Sequence, residues 1–215
     1  MAEPARTLSQ PHERISRLQT LGLSEAQVDE AVSRGLSARQ STDRLHPPSF
    51  PGVYQWAATH HGFRDETAGA GWKPNDEANF STTVGPDGAT AVTVATGDQF
   101  TGTRGPRQPS TKYPRGSQTQ LAIKTNRGTL PLFNDPLHME ASDPSRVTWV
   151  LLVHTDHQRG EVRYELSCPE AQDADGRVTS WAERIIFPPL EIKAEQLPGD
   201  DDEGAQDFDV PVDRL

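Results

Sequence analysis

The sequence predicts an α+β fold, with N-terminal helices packed on an antiparallel sheet of about five strands. Three observations carry this expectation. Up to about residue 72, apolar residues recur at steps of three and four, the helical period. From Phe80 onward they recur at steps of two, the period of a strand. The regular βα alternation of a doubly wound fold is absent, as are the G-x-G-x-x-G and G-x-x-x-x-G-K-[ST] phosphate loops.

Residues 1–9 read as a frayed end. Ile15, Leu18 and Leu21 mark a first helix from Pro11, and Gly22 stops it because glycine accepts the left-handed cap conformation. Ser24 is placed to cap a second helix, with Glu25 and Gln27 in its first turn. Ala26, Val28, Ala31 and Val32 follow, and Gly35 is expected to end it. Two short helices joined by Leu21-Gly22-Leu23-Ser24 form a helix-turn-helix, a small helical docking module or a cap on the sheet. Asp29 and Glu30 favour the cap, because a groove-reading helix carries cations there. Pro47, Pro48 and Pro51 make a stiff connector, and Pro51 suits the first turn of a third helix. Val53, Trp56, Ala57, His60 and Phe63 define its inner face. Gly69 and Gly71 end it, and Trp72 plugs the edge of the core.

Phe80 to Val84, the turn Gly85-Pro86-Asp87-Gly88 and Ala89 to Ala95 read as a β-hairpin. Val92 and Val94 are expected inward, Thr90 and Thr93 outward. Thr96 to Gly116 is a long loop rich in glycine and proline, and a loop of this length is usually functional or disordered. Ser117 opens a short helix to Asn126, and residues 131–144 form an irregular link. The most apolar run, Val147 to Val153, reads as a central strand. In Glu161 to Cys168, Val162, Tyr164, Leu166 and Cys168 alternate with Glu161, Arg163, Glu165 and Ser167. The two segments pair as an antiparallel hairpin over His154–Gly160. Asp173 to Gly176 is a turn, and Glu183 to Phe187 is a further strand that Pro188 and Pro189 end or confine to an edge.

At 215 residues the chain has room for one domain and a tail. The expected division is a disordered 1–9, a single domain over 10–196 and an acidic tail over 197–215. Within the domain, 10–72 is helical and 80–192 carries the sheet, including a 97–116 basic loop. A hydrophobic share of 33% leaves a modest core, so Trp56, Trp72, Trp149 and Trp181 are assigned to it or its rim. There is no run of 18 apolar residues and no apolar N-terminal stretch, which argues against a membrane span or signal peptide and for the cytoplasm. A lone Cys168 excludes an internal disulfide. Seventeen arginines against four lysines suggest a GC-rich bacterial genome.

The net charge of −10 is unevenly spread. Between Asp98 and Asp135 there is no acid, while Arg104, Arg107, Lys112, Arg115, Lys124 and Arg127 contribute six positive charges. From Glu195 to Leu215 eight acids face one arginine. The basic stretch combines glycines that bring backbone N–H groups close to an anion, cations that hydrogen-bond phosphate oxygens, and Tyr113 as a stacking face. It is the candidate phosphate or nucleic-acid site. The alternative is that these cations neutralise the chain's own acids or a partner's. In the tail, Asp207, Phe208, Asp209 and Val210 set apolar residues among acids, as a partner-docking segment does.

His154, Asp156 and His157 at a strand end, with His60 and His61, are the metal-ligand candidates, although no H-E-x-x-H motif occurs. A carboxylate pair of Asp98 with Glu161 or Glu165 is a further option. Cys168 reads as a buried small hydrophobe, and no G-x-S-x-G elbow exists. The leading expectation is a non-enzymatic accessory or adaptor protein of a larger assembly, without a cofactor. It contacts nucleic acid or another phosphate ligand through the basic segment and a protein through the tail. The other two readings are a metal-dependent phosphodiester hydrolase and a purely protein-binding subunit.

Overall fold

The computed structural model describes residues 5–128 and 146–192. Its helices are α1 (Pro11–Thr20), α2 (Glu25–Gln40), α3 (Phe50–Ala68) and α4 (Ser117–Asn126). Its strands are β1 (Arg6–Leu8), β2 (Lys73–Asn75), β3 (Thr82–Val84), β4 (Thr90–Thr96), β5 (Val147–Asp156), β6 (Glu161–Gln172), β7 (Val178–Ile186) and β8 (Leu190–Glu191). The fold is α+β, but the sheet is larger than five strands and is mixed. Eight strands take part, in the order β1-β7-β6-β5-β4-β3-β2, with β8 on β6. β1 runs parallel to β7 and β4 parallel to β5, and the other pairs are antiparallel.

The extra strands escape a pattern search for physical reasons. β1 and β2 have three residues each, too few to show an alternation. The parallel β4–β5 pair joins segments separated by the whole 97–146 connection. The expected frayed N-terminus is corrected in part: Arg6, Thr7 and Leu8 pair with Glu183, Arg184 and Ile185, and Leu8 is buried. Because β1 lies outside β7, β7 is not an edge, and Pro188 and Pro189 end it instead.

The helical layer follows its sequence closely, with one correction. Ser24 and Gln27 form a reciprocal capping box on α2. Gly35 does not end α2, which runs on to Gln40. It faces α3 instead, where a Cβ would meet the Thr59 side chain and lie 3.0 Å from the Gln55 carbonyl oxygen. From the other side, a Cβ on Gly62 would lie 3.1 Å from Ala31 Cα. Small residues at both crossing points let the two helices pack closely. This rotates the inner face of α3 from the expected one: Gln55, Thr59, His60, Gly62, Phe63 and Thr67 are buried, and Ala57 is exposed.

Both sheet faces are covered. On one, Val94, Trp149, Leu151, Tyr164 and Leu166 pack with Leu18, Val28, Val32 and Phe63 of the helices. On the other, Val150, Leu152, Val178 and Trp181 meet Ile123 of α4. Each large apolar side chain buried this way contributes about 1.5–3 kcal/mol. Thr93, Glu165 and Ser167, which simple alternation turns outward, are therefore buried. The 97–116 loop is neither disordered nor free-standing, because it closes this second face. Lys112 donates its backbone N–H to the Thr96 carbonyl at 2.9 Å, Thr111 to Val178 at 3.0 Å, and Arg115 to Gly176 at 2.8 Å. The Trp181 indole donates to the Pro109 carbonyl at 2.7 Å. Among the described residues, no helix is long and apolar enough to cross a membrane.

Candidate functional site

A buried ion pair anchors the basic loop. Glu165 is fully buried and Arg184 is 2% exposed. The Glu165 carboxylate accepts from both the Nε (2.8 Å) and a terminal nitrogen of Arg184. It also accepts from the Ser167 hydroxyl at 2.7 Å and the Gly102 N–H at 2.8 Å. Arg184 further donates to the Thr103 carbonyl at 3.2 Å, and Arg163 to the Gln99 carbonyl at 2.9 Å. A buried charge needs this full set of partners, so the loop supplies part of the solvation that its own covering removes. Gly102 sits at φ +69, where a Cβ would lie 2.9 Å from that of Arg163, so glycine is required.

The outer side of this platform carries the expected cations, and the structure places them as follows. Arg104, Arg107, Lys124 and Arg127 are exposed. Arg104 donates to the Ser9 carbonyl at 3.2 Å, and Arg107 lies 5.5 Å over the Phe100 ring. Lys124 is in the last turn of α4 and Arg127 is its C-cap, where positive charge suits the helix dipole. No carboxylate of a described residue lies within ion-pair distance of these four. Lys112 and Tyr113 are half-buried, the ammonium 5.5 Å from the ring, and Arg115 is half-buried beside the Asp173–Gly176 turn. Four of the six cations are thus exposed, and Lys112 and Arg115 are half-buried.

Lys112 and Tyr113 also enter a cleft at the carboxyl ends of β4 and β5. β3 pairs with β4 only at Ala91 and Val92, and side chains of α3 serve the outer edge beyond. The Trp56 indole donates to the Val94 carbonyl at 3.0 Å, and His60 Nε2 accepts the Val94 N–H at 3.3 Å. An accepting Nε2 requires a neutral ring with its proton on Nδ1. Burial first, then the charges of Arg64 and Arg115, push the His60 pKa down to about 3.

The cleft is open to solvent and holds a water-accessible volume of about 60 Å³. Trp56, Val94 and Val153 form apolar walls, and Arg39, Gln55, Lys112 and Thr155 supply polar groups. Thr155 donates to Gln55 Oε1 at 3.0 Å, which fixes the amide. Gln55 is 7% exposed, and its Nε2 has no hydrogen-bond partner among the described residues. Arg39 donates to His157 Nε2 at 2.9 Å. His154 also lines the cleft, and burial lowers its pKa, with the Arg163 charge adding to the effect.

Among the described residues, the candidate histidines are dispersed over different partners. His60 serves the β4 edge, His61 is exposed, and His157 meets Arg39. Asp156 is taken up by Arg163 at 3.1 Å. Among the described residues, no group of three or more His, Cys, Asp or Glu is placed to hold a metal ion. The suggested carboxylate pair is not formed either. Asp98 accepts from Phe100 N–H and the Ser110 hydroxyl, Glu165 is held by Arg184, and Glu161 faces Arg159 and Arg163. Cys168 is half-buried, and burial pushes its thiol up to about 12. Asp207, Phe208, Asp209 and Val210 lie outside the described residues.

Arg39, Gln55 and Thr155 were not expected from sequence. Ending α2 at Gly35 left Arg39 in a loop, although Val32, Leu36 and Arg39 continue the helical step. No family model, curated protein or solved structure matches the chain.

Proposed function

We propose that the protein is a non-enzymatic accessory or adaptor subunit that binds single-stranded nucleic acid across the outer side of residues 104–127. The observation that supports this reading is the set of four exposed cations, Arg104, Arg107, Lys124 and Arg127, without a described carboxylate in ion-pair reach. They sit on a segment held to the sheet by a buried ion pair and backbone hydrogen bonds. Several exposed cations within one acid-free stretch of sequence suit the repeated charges of a nucleic-acid backbone. Tyr113, half-buried beside Lys112, is the aromatic ring of the same stretch of sequence. The overall charge of −10 repels phosphate at long range, so contact is confined to this segment. The acidic residues Asp207 and Asp209, with Phe208 and Val210 between and beside them, are the proposed contact to a protein partner.

Fluorescence anisotropy with a labelled single-stranded oligonucleotide at low salt tests the reading. Binding is expected, with a loss of at least about tenfold when Arg104, Arg107, Lys124 and Arg127 are all replaced by alanine. Absence of binding at low salt, or equal binding by that variant, contradicts it.

A further inference from the structure

We propose that a base of the bound single strand stacks on Tyr54, the open end of an exposed row of rings formed by His46, Phe50 and Tyr54. The inference rests on the nucleic-acid reading above and names a contact outside the 104–127 segment.

The spacing of the residues builds the row. Phe50 and Tyr54 stand four residues apart on α3, so they share one face. His46 precedes Phe50 by the same interval, at the start of the proline-rich connector. The His46 and Phe50 rings are stacked with centroids 4.7 Å apart and planes at 7°, and the Phe50 and Tyr54 rings at 5.4 Å and 27°. The positions one turn beyond, Ala57 and Ala58, carry no ring that could continue the row, so it ends at Tyr54. A ring already held by its neighbour loses little freedom when a base joins it.

Exposure singles out Tyr54. A protein that binds single strands needs an aromatic face within reach of the bases. Tyr54 is 41% exposed, and every other Phe, Tyr and Trp among the described residues is buried or half-buried. Tyr113 sits beside the Lys112 ammonium, and Phe100 lies beneath the Arg107 guanidinium. The Trp56 indole is committed to the Val94 carbonyl.

The surroundings of the row do not repel phosphate. Its nearest acid in sequence, Asp43, is engaged by His46 Nδ1 at 2.9 Å and by the Leu45 N–H at 3.0 Å. Arg44 beside it is exposed, with no described carboxylate in ion-pair reach. The next residues of α3, Gln55 and Trp56, border the same cleft as Lys112 and Tyr113, which brings the start of this helix to the basic segment.

The test titrates the full chain at low salt with a labelled single-stranded oligonucleotide, and with a copy carrying 2-aminopurine, whose fluorescence falls when the base stacks. Tyr54→Ala should weaken binding at least about fivefold and lessen the quenching. Tyr54→Leu keeps apolar bulk without a ring and should lose as much, while Tyr54→Trp should restore the affinity. The log–log salt slope should be the same in all four proteins, because removing a ring changes no phosphate contact. Thermal melting checks that the variants fold, as expected for substitutions at an exposed position. Absence of binding by the unaltered chain contradicts the nucleic-acid reading and this proposal with it. Where the unaltered chain binds, equal affinity of Tyr54→Ala or Tyr54→Leu overturns this proposal alone, as does a loss that Tyr54→Trp fails to restore.

Discussion

Four arginines of the helical side and four exposed cations of the loop side meet opposite fates. On the helical side Arg14 pairs with Glu25 at 2.6 Å, Arg17 with Glu183 at 2.9 Å, and Arg64 with Asp76 at 2.6 Å. Arg34 gathers Glu30, Asp65 and Glu66. On the loop side Arg104, Arg107, Lys124 and Arg127 find no described carboxylate. The cause is written in the chain, because residues 99–134 hold no acid at all. Where acids and bases are interleaved, folding pairs them. Where they are segregated, folding leaves one sign on the surface.

The two sides are also fastened differently. The helical layer rests on an apolar core, whereas the loop rests on Glu165 and Arg184. The largest effect should come from breaking that pair. Glu165→Ala leaves Arg184 buried without its partner and should cost about 3–5 kcal/mol in urea unfolding. It should also open the 97–116 loop to protease. Joint replacement by Glu165→Leu and Arg184→Met should restore much of the loss. A single-variant cost below about 1 kcal/mol would show that the loop is held by something else. Gly102→Ala should cost about 1–3 kcal/mol through its positive φ and its clash with Arg163. Loop sensitivity to protease should rise with it.

His60 sharpens the comparison from the helical side. In the unfolded chain it takes up a proton near its ordinary value of 6.5, but in the fold only near about 3. Between these values the unfolded state binds more protons, so this group makes stability rise with pH. Its share of the slope is at most about 1.4 kcal/mol per pH unit, and His60→Gln should remove it. Equal pH slopes in the two proteins would mean that His60 is already charged in the fold. The smallest effect is expected at Arg34. Two of its three partners, Glu30 and Asp65, are exposed and screened, so Arg34→Ala should move the melting temperature only slightly.

Much of the helical half was legible in the sequence because its signals are local. Ser24 and Gln27 name a capping box, Gly22 takes the left-handed turn at φ +71, and Ser117 to Asn126 reads as the helix it is. The hairpin of β5 and β6 was equally clear from the alternation at Val162, Tyr164 and Leu166. What failed depends on distant partners. Alternation turned Glu165 and Thr93 outward, because one strand does not reveal that both faces are covered. Gly35 read as a stop, because its true role is to admit Thr59 from another helix. The basic segment was recognised as a unit from its charge. Its division into an outer surface and a cleft required Arg39 and Gln55, which no motif marks.

The claim that the loop side keeps its cations for phosphate is tested most directly by the salt dependence of oligonucleotide binding. Four phosphate contacts predict a log–log slope of about −3 for a single strand. Removing Arg104, Arg107, Lys124 and Arg127 should flatten that slope toward zero, while Arg34→Ala should leave it unchanged. The same slope in all three proteins would contradict the claim.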